Sequence, residues 1–502
     1  MKIDNPRVEQ LYNYLSRINK TAYQDEFILA NDVLAKSPFC GDILSVYLKN
    51  SPVEKVALNF ILRKLFLFYV KNISWWAIHL IKKLAHMFSG KNYSLSQGLD
   101  QLTVIDINCG IKAIVAENKF NDPFFPNLAK IISKKGEAVV YFPKLYGNVG
   151  LGCFFKCMRI LKKSPVPVLT EFQILKLSDY FCLIVFIALY PVKIIQLIGR
   201  LGNEYEDDLL RFTLWDTLDT TVVKGHLRLL CGRRLSLLPV DKIKCVSWFE
   251  NQSLDKCFYR GLRKVPHKVK IFGAQLFIWA DTLLSTHVDE EESVFGVVPD
   301  KIIVNGDYYL PSSGSRRFAV GPSMRYGKIF QVKMDPLNAK NILVLMPYWE
   351  ADTEYLVDLI QDLSLGAPVL VKFHPSTDIK KYAARLQGNI EIVESDLYDL
   401  LEKSKLVIGV STGALVEAVS LGIPVICIDS KSMLFHSNYF SEFGKGIVWE
   451  RAETASEIKD LIGRFDHSLR HDGSGIQTTS EEIKRMYFHE PTEEAIVNAF
   501  DL

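Results

Sequence analysis

Residues 367–378, APVLVKFHPSTD, and 406–429, LVIGVSTGALVEAVSLGIPVICID, decide the fold of this chain. They contain three short, β-branched apolar runs, at 369–373, 406–410 and 424–428. Helix-length amphipathic segments alternate with these runs, which predicts parallel strands covered on both faces. In sheets of this kind, ligands bind beyond the carboxyl ends of the strands. The residues that follow the runs are therefore the first candidates for a functional site.

A turn of small and hydroxyl residues follows the second run. Ser411 or Thr412 can cap the helix that is predicted to begin at residue 414, and Gly413 would let a ligand approach the backbone. Free N–H groups and the positive end of the helix dipole would then face an anion. The turn thus predicts a phosphate site, although capping alone would also explain the hydroxyl groups.

His374 ends the first run, and Pro375 restricts its backbone to an extended form. An imidazole at a strand end can donate to a phosphate oxygen or protonate a leaving group. Glu417 lies one helical turn beyond the Ser-Thr-Gly turn, near enough to accept a hydrogen bond from a ribose hydroxyl. A purely structural role for Glu417 remains open at this point.

The order strand, His-Pro, helix, strand, helix, strand, Ser-Thr-Gly, helix, Gly-Ile-Pro, strand resembles the nucleotide-binding half of GT-B glycosyltransferases, over residues 300–465. Within that superfamily it resembles CMP-sugar enzymes, the bacterial sialyltransferases and capsule-type Kdo transferases. There an HP motif and a downstream serine motif contact the CMP of the donor. The resemblance implies that His374, Pro375, Ser411 and Thr412 do so here. Thr412 stands where a second serine is common in the sialyltransferases.

The resemblance implies a sugar transferred from a CMP-activated donor, with Kdo, sialic acid or a related ulosonic acid as the sugar. Two other enzymes of the same fold stay open, a CDP-alditol phosphotransferase and a UDP-sugar glycosyltransferase. From a different class, a non-catalytic polysaccharide-assembly protein could keep the fold and bind glycan or lipid without turnover. The nucleotide sugar is a substrate, and no cofactor is expected.

The amino-acid composition limits the class of protein, the kinds of partner and the cellular compartment. The 502 residues are 48% hydrophobic and 23% charged, which is typical of a globular chain large enough for two domains. A net charge of +3 lacks the strongly basic footprint of a nucleic-acid partner. Nine scattered cysteines without paired metal-ligand spacing favour a reducing compartment. The polar start of the chain lacks a signal-peptide pattern, so we expect a cytoplasmic protein.

Two apolar segments interrupt this soluble pattern. Residues 55–88 contain no acidic residue, and Lys64, Lys71 and Lys82 recur on one helical face, which predicts a helix lying on an anionic membrane surface. Residues 180–192 form a second apolar run, too short to span a bilayer and containing Pro191. The first segment predicts peripheral attachment to the inner face of the cytoplasmic membrane, where a glycan or lipid-linked glycan acceptor would be found. An ordinary core helix is the alternative for both.

The organisation predicted is α/β and GT-B-like: two Rossmann-like domains whose parallel sheets face a cleft, with apolar and amphipathic helices inserted in the N-terminal half. Residues 1–325 would form the acceptor-side domain, and residues 326–480 the nucleotide-sugar domain, since turn-forming residues concentrate at 305–340. The end of the chain, 481–502, is predicted to be a helix packing back across the cleft.

The first domain must supply a base for the acceptor hydroxyl, and in an inverting enzyme a carboxylate is the usual choice. Glu250 is the first candidate because it follows a predicted strand at 245–249, beside two amide side chains. Asp106 follows a strand at 102–105 and is the second candidate. Either carboxylate could instead cap a helix or form a salt bridge.

Arginines near the predicted cleft could pair with a donor carboxylate or phosphate; these are Arg316, Arg317 and Arg325. The chain has no Asp-x-Asp pair suited to chelating a cation against a diphosphate, no Walker loop and no zinc spacing. We therefore expect no metal, which is consistent with a departing monophosphate.

Overall fold

The structure is a computed structural model that describes the chain except for residues 1–4, 38–42, 54–55, 90–98, 313, 362, 364–366, 411 and 431–438, and for the side chains of residues 88 and 89. Over the described residues, twelve strands form two six-stranded sheets, both entirely parallel. The predicted architecture of two parallel-sheet α/β domains is confirmed.

The first sheet has the strand order β2-β1-β3-β4-β5-β6. Its strands are β1 (Leu99–Gly110), β2 (Ala138–Tyr146), β3 (Val240–Trp248), β4 (Val269–Gln275), β5 (Lys301–Val304) and β6 (Phe318–Val320).

The second sheet has the order β12-β11-β10-β7-β8-β9. Its strands are β7 (Asn341–Leu345), β8 (Val369–Lys372), β9 (Ile390–Ile392), β10 (Ser404–Val410), β11 (Val425–Ile428) and β12 (Trp449–Ala452).

Helices cover both sheets and form a separate layer in the N-terminal half. The first nine are α1 (Pro6–Ala22), α2 (Ile43–Leu48), α3 (Leu58–Ser89), α4 (Ile111–Glu117), α5 (Leu128–Lys134), α6 (Leu151–Lys162), α7 (Glu171–Ile174), α8 (Leu177–Ile198) and α9 (Tyr205–Asp216). The others are α10 (Thr221–Ser236), α11 (Ser253–Leu262), α12 (Glu350–Gln361), α13 (Lys380–Ala383), α14 (Leu397–Leu401), α15 (Ala414–Ser420), α16 (Ala455–His471), α17 (Gly473–Tyr487) and α18 (Glu493–Phe500). Short 3₁₀ turns lie at Ile28–Ala30, Leu284–Thr286, Glu290–Phe295, Asp307–Tyr309 and Met324–Phe330.

The central strands form because their apolar runs are buried on both faces. Val407, Ile408 and Val410 of β10 have no exposed surface, as expected for a strand inside a doubly covered sheet. The sequence did not indicate β6 or β12, which are three and four residues long and include half-buried positions. Short edge strands carry too little apolar periodicity to be recognised from the sequence.

The chain returns to the first domain at its end. The single helix predicted over 481–502 is instead the end of α17, an extended crossing, and α18. In the crossing, the Ser323 backbone N–H donates to the His489 carbonyl and the His489 N–H donates to Ser323 Oγ, at 2.8 and 3.0 Å. Phe500 of α18 then packs edge-on against Phe125 and Phe272 of the first domain. Residues beyond the crossing therefore complete the first domain's core.

The lysines predicted to face a membrane from α3 do not share an exposed face. Lys64 Nζ lies 2.7 Å from the Asp216 carboxylate, and Lys82 packs over the Phe154 ring, where burial lowers its pKa. Lys71 is exposed. The prediction of a three-lysine membrane face is therefore wrong, because two of the lysines are turned toward the protein.

Candidate functional site

The carboxyl ends of the two sheets face each other. Ile278, three residues beyond β4, packs against Gly413, three residues beyond β10, so closely that a Cβ on the glycine would lie 2.9 Å from Ile278 Cβ. The first domain therefore fills the space on the Cβ side of Gly413, and the approach of a ligand to the Gly413 backbone stays a prediction. The contact places the loops after both sets of strands at one interdomain boundary.

His374 lies just beyond β8 with its side chain exposed. The Ser376 backbone N–H donates to Nδ1 at 3.3 Å, and Ser376 Oγ lies 2.7 Å from the same nitrogen. Because Nδ1 accepts, the neutral ring carries its proton on Nε2. Partial burial lowers the pKa of His374, which favours this neutral form. The Tyr348 ring stands edge-on to the imidazole at 5.0 Å and limits its movement.

The Thr412–Gly413 turn lies on the same sheet edge as His374. Strand β7 separates their parent strands β10 and β8, so the two loops are about 10 Å apart at the usual strand spacing. Thr412 Oγ1 accepts from the Ala414 N–H at 3.4 Å, a long capping bond. Ser411 lies outside the described residues, and its predicted meeting with His374 stays a prediction.

Glu417 is held from within the second domain. Its Oε2 accepts a 2.6 Å hydrogen bond from the Tyr398 hydroxyl. Burial raises the pKa of Glu417, while this hydrogen bond and the positive charge of Arg325 oppose the rise. One carboxylate oxygen is therefore engaged by Tyr398, and Oε1 has no hydrogen-bonding partner among the described residues. The sequence carried no sign of Tyr398, because its role depends on the packing of α14 beside α15.

Glu250 is the corresponding carboxylate of the first domain, two residues beyond β3. Its Oε1 accepts from the Trp248 indole N–H at 2.8 Å, and its Oε2 accepts from the Gln252 side-chain amide at 2.7 Å. Burial raises the pKa of Glu250, and the negative charge of Asp255 adds to the rise. The side chain remains half-buried, so a partly accessible carboxylate is held in one orientation by neutral donors.

Asp255 organises this loop. Its Oδ2 accepts from the backbone N–H groups of Glu250 and Gln252 at 3.1 and 3.2 Å, and its Oδ1 accepts from Lys144 Nζ at 3.1 Å. Asn251 between them adopts a left-handed backbone, φ +55°, with its amide donating to the Ser285 carbonyl. The Glu250 carboxylate is thus positioned by a second, buried acid.

Arg325 connects the two domains electrostatically. Its guanidinium is exposed beyond the carboxyl end of β6, and its charge lowers the pKa of both Glu250 and Glu417. The other two arginines are elsewhere: Arg316 and Arg317 immediately precede β6, at the opposite edge of the sheet. Arg317 is tied there to the Glu290 carboxylate at 3.2 Å and the Pro299 carbonyl. The expectation that these two line the cleft is wrong.

Asp106 is unsuited to take a proton from a substrate. It has no exposed surface, and Arg228 Nη2 lies 2.8 Å from both of its oxygens. Ser247 Oγ donates to the same carboxylate at 2.8 Å. Asp106 is therefore one half of a buried structural ion pair, and the structure contradicts its assignment as a base.

A glycine-rich loop, Gly147-Asn-Val-Gly-Leu-Gly152, was overlooked in the sequence and leads from β2 into α6. Gly147 has φ +121°, and no atom lies within 4 Å of a Cβ built on Gly150 or Gly152. Such spacing after a predicted strand is a recognisable signal. The loop leaves open space near the carboxyl end of β2, in the first domain.

A cavity of about 480 Å³ lies at the opposite, amino edge of the first sheet and belongs to no part of this site. Its lysines are largely paired: Lys244 with Glu137, and Lys270 with Asp501. Among the described residues, no cluster of three or more His, Cys, Asp or Glu side chains could hold a metal ion.

Comparison with known proteins identifies similar folds at low identity. No family model matches the chain, and no curated protein sequence matches it significantly. MurG of Acinetobacter baumannii has 11% identity, with 80% of this chain and 99% of MurG covered and a TM-score of 0.42. The calicheamicin glycosyltransferase CalG4 has 12% identity, with 80% and 97% covered and a TM-score of 0.43.

Anabaena HepE, solved in complex with UDP-glucose, has 10% identity, with 80% of this chain and 97% of HepE covered and a TM-score of 0.40. Identities and TM-scores in this range do not establish a shared activity. The assignment of chemistry therefore depends on the residues described above.

Proposed function

We propose that this protein is a GT-B type glycosyltransferase that uses a nucleotide-activated sugar. The main support is that the carboxyl edges of the two parallel sheets face each other. His374 lies at the edge of the second sheet and Glu250 at the edge of the first. The charge of Arg325 acts on the Glu250 carboxylate. Ligands of parallel α/β sheets bind at such edges. A donor on the second domain and an acceptor on the first would meet at the boundary between them.

The transfer we propose is a direct displacement. The acceptor oxygen forms a bond to the anomeric carbon of the donor sugar as the bond from that carbon to the phosphate oxygen breaks. Glu250 takes the proton of the acceptor hydroxyl, and the Nε2–H of His374 hydrogen-bonds the departing phosphate. A raised pKa suits Glu250 to this task, because a general base works best when its pKa lies closer to the working pH.

For the donor we propose a CMP-linked ulosonic acid, such as Kdo or sialic acid, and for the acceptor a surface glycan or glycolipid at the cytoplasmic face of the membrane. Arg325 supports an acidic sugar, since its exposed guanidinium can pair with the sugar carboxylate in a bidentate geometry. Transfer without a metal is part of the proposal, and EDTA should leave the rate unchanged.

Thermal unfolding with CMP, CDP and UDP compounds tests the donor. A rise in Tm with CMP alone supports the proposed donor, whereas a rise with UDP or CDP compounds alone assigns one of the alternative enzymes. No response to any nucleotide would favour a non-catalytic assembly protein. His374→Ala should lose most of the response, and His471→Ala, an exposed histidine on α16, is the matched control.

A further inference from the structure

Helix α3 has an inverted distribution of polar and apolar side chains. Its buried face includes Asn72, His79 and Lys83, at most 7% exposed. Each has a partner inside the protein: Asn72 donates to the Phe68 carbonyl, His79 contacts Glu171 and Tyr180, and Lys83 donates to the Phe172 carbonyl. A surface helix of a soluble domain normally places such residues outward.

The outer face of α3 is apolar instead. The exposed side chains at 62, 66, 70 and 73 recur every three or four residues, and those at 81 and 84 continue on the same side of the helix; they are Leu62, Phe66, Val70, Ile73, Ile81 and Leu84. Phe66 is 66% exposed and Leu62 is 57% exposed. An exposed apolar row of this length has no role in the protein's own core.

Helix α8 presents a second row of exposed apolar side chains, Leu177, Phe181, Leu189, Val192 and Ile195. Phe181 is 70% exposed. Among the described residues, α8 is the one helix long and apolar enough to cross a membrane by length and composition. Its other face is packed into the first domain through Phe186 and Tyr190, which are fully buried.

The two rows belong to one surface. The Tyr69 hydroxyl of α3 donates to the Ala188 carbonyl of α8 at 3.2 Å, and the Trp76 indole donates to the Tyr180 carbonyl at 2.9 Å. The pairing of 69 with 188 and of 76 with 180 makes the helices antiparallel neighbours. On the helical wheel, Tyr69 and Trp76 border the exposed row of α3. We call the combined surface the α3–α8 face.

Helices α3 and α6 contribute basic residues and no acidic residue beside this face. From residue 56 to residue 88 the sequence contains no Asp or Glu, and Arg63 and Lys71 are exposed. Helix α6, whose Phe154 contacts Lys82 of α3, also has no acidic residue. Its exposed basic side chains are Lys156, Arg159 and Lys162. A positive rim beside an apolar face complements anionic lipid headgroups.

We propose that the α3–α8 face is a membrane-docking surface that enters the boundary between headgroups and acyl chains of an anionic bilayer. At 1.5 Å per residue, the 32 residues of α3 extend about 48 Å, longer than the roughly 30 Å hydrocarbon core, so the helix lies along the bilayer. A second copy of the chain is a less suitable partner, because a two-fold contact would place the basic side chains of both copies next to each other and they would repel. The inference stands on this surface and does not depend on the proposed transfer reaction.

Vesicle sedimentation of the full chain tests the proposal, with phosphatidylcholine vesicles containing about one-third phosphatidylglycerol and with phosphatidylcholine alone. The test variant is Leu62→Gln/Phe66→Gln/Phe181→Gln. Its matched control is Leu237→Gln/Val294→Gln/Leu337→Gln, at positions 57%, 81% and 56% exposed away from the face. We expect binding of wild type and control to the anionic vesicles, and a loss of at least about tenfold in partitioning for the test variant, since binding scales with buried apolar area.

Circular dichroism melting of both variants confirms that they are folded. Equal partitioning of test variant and control would overturn the proposal, as would a wild type that binds no vesicle. A dimer in sedimentation velocity that only the test variant dissociates, without vesicle binding, would assign the face to a second copy of the chain. The Tm shifts of the test variant with nucleotides are measured separately. The vesicle result therefore stays interpretable even if the proposed donor is wrong.

Discussion

Asp106 and Glu250 are two carboxylates of the first sheet with different surroundings. Asp106 lies on β1, and Glu250 lies just beyond the end of the neighbouring strand β3. Asp106 faces Ser247 across the strand pair, three residues before Glu250, and is neutralised by the guanidinium of Arg228 in a site without exposed surface. Glu250 lies past the strand end and receives hydrogen bonds from two neutral donors. The two carboxylates therefore differ mainly in the charge of their partners. Asp106 has a charged partner and is a structural acid, whereas Glu250 has neutral partners and is a candidate base.

Replacing Glu250 by Gln tests the functional half of this comparison and should have the largest effect. We expect kcat to fall about 10³-fold, the middle of the range for loss of a general base, while donor binding persists. Folding should not suffer: burial raises the pKa of Glu250, so ionisation opposes folding above its unfolded-state pKa, and glutamine removes that cost at neutral pH. Glu494→Gln, an exposed glutamate on α18, is the control. Near-normal turnover would remove Glu250 from the mechanism.

Replacing Asp106 by Asn tests the structural half. The change leaves Arg228 buried without its counter-ion, and breaking a buried pair typically costs about 3 kcal/mol or more of unfolding free energy. Denaturant unfolding measures this loss. Arg228→Met combined with Asp106→Leu should recover much of the stability, because removing both charges is less costly than removing one. A stable Asp106→Asn protein with abolished turnover would reverse the two roles.

Asp255→Asn should have an intermediate effect, since Asp255 holds the loop that orients Glu250. We expect a drop of about tenfold in kcat, the size typical of lost positioning through outer partners. A change in the pH profile of kcat should accompany it, because removing the negative charge of Asp255 lowers the pKa of Glu250. Measurement of kcat against pH distinguishes a changed Glu250 pKa from a loss of folded enzyme. A loss of folded enzyme would lower kcat by the same factor at every pH.

Arg325→Gln should produce the smallest change in kcat at neutral pH and saturating donor, a higher KM for the acidic donor, and the clearest shift on the acid side of the pH profile. Its positive charge lowers the pKa of Glu250, so its removal raises that pKa and moves the acid limb of kcat/KM to higher pH. The base must be ionised to work, so activity falls as pH drops through the new value. An unmoved acid limb would mean that Arg325 and Glu250 do not act at the same place. Arg316→Gln, at the other sheet edge, is the control.

Much of the fold follows from local pattern. The apolar runs that become β7, β8, β10 and β11 were recognisable because a strand buried on both faces is continuously apolar. The edge strands β6 and β12 were missed, since their pairing depends on neighbours distant in sequence. The terminal segment was predicted as one helix although Pro491 and the capping residue Thr492 mark a break in the sequence. The crossing to Ser323, in contrast, depends on tertiary contacts.

For the site, the sequence by itself determined which residues follow the strands, and so placed His374, Thr412 and Glu250 at sheet edges. Only the tertiary structure decided what each of them contacts. Ile278 fills the space beside Gly413, Arg228 neutralises Asp106, and Lys64 turns inward to Asp216. The physical reason is that strand and helix periodicity is a local property, whereas burial, charge partners and pKa depend on side chains that are brought together from distant parts of the chain.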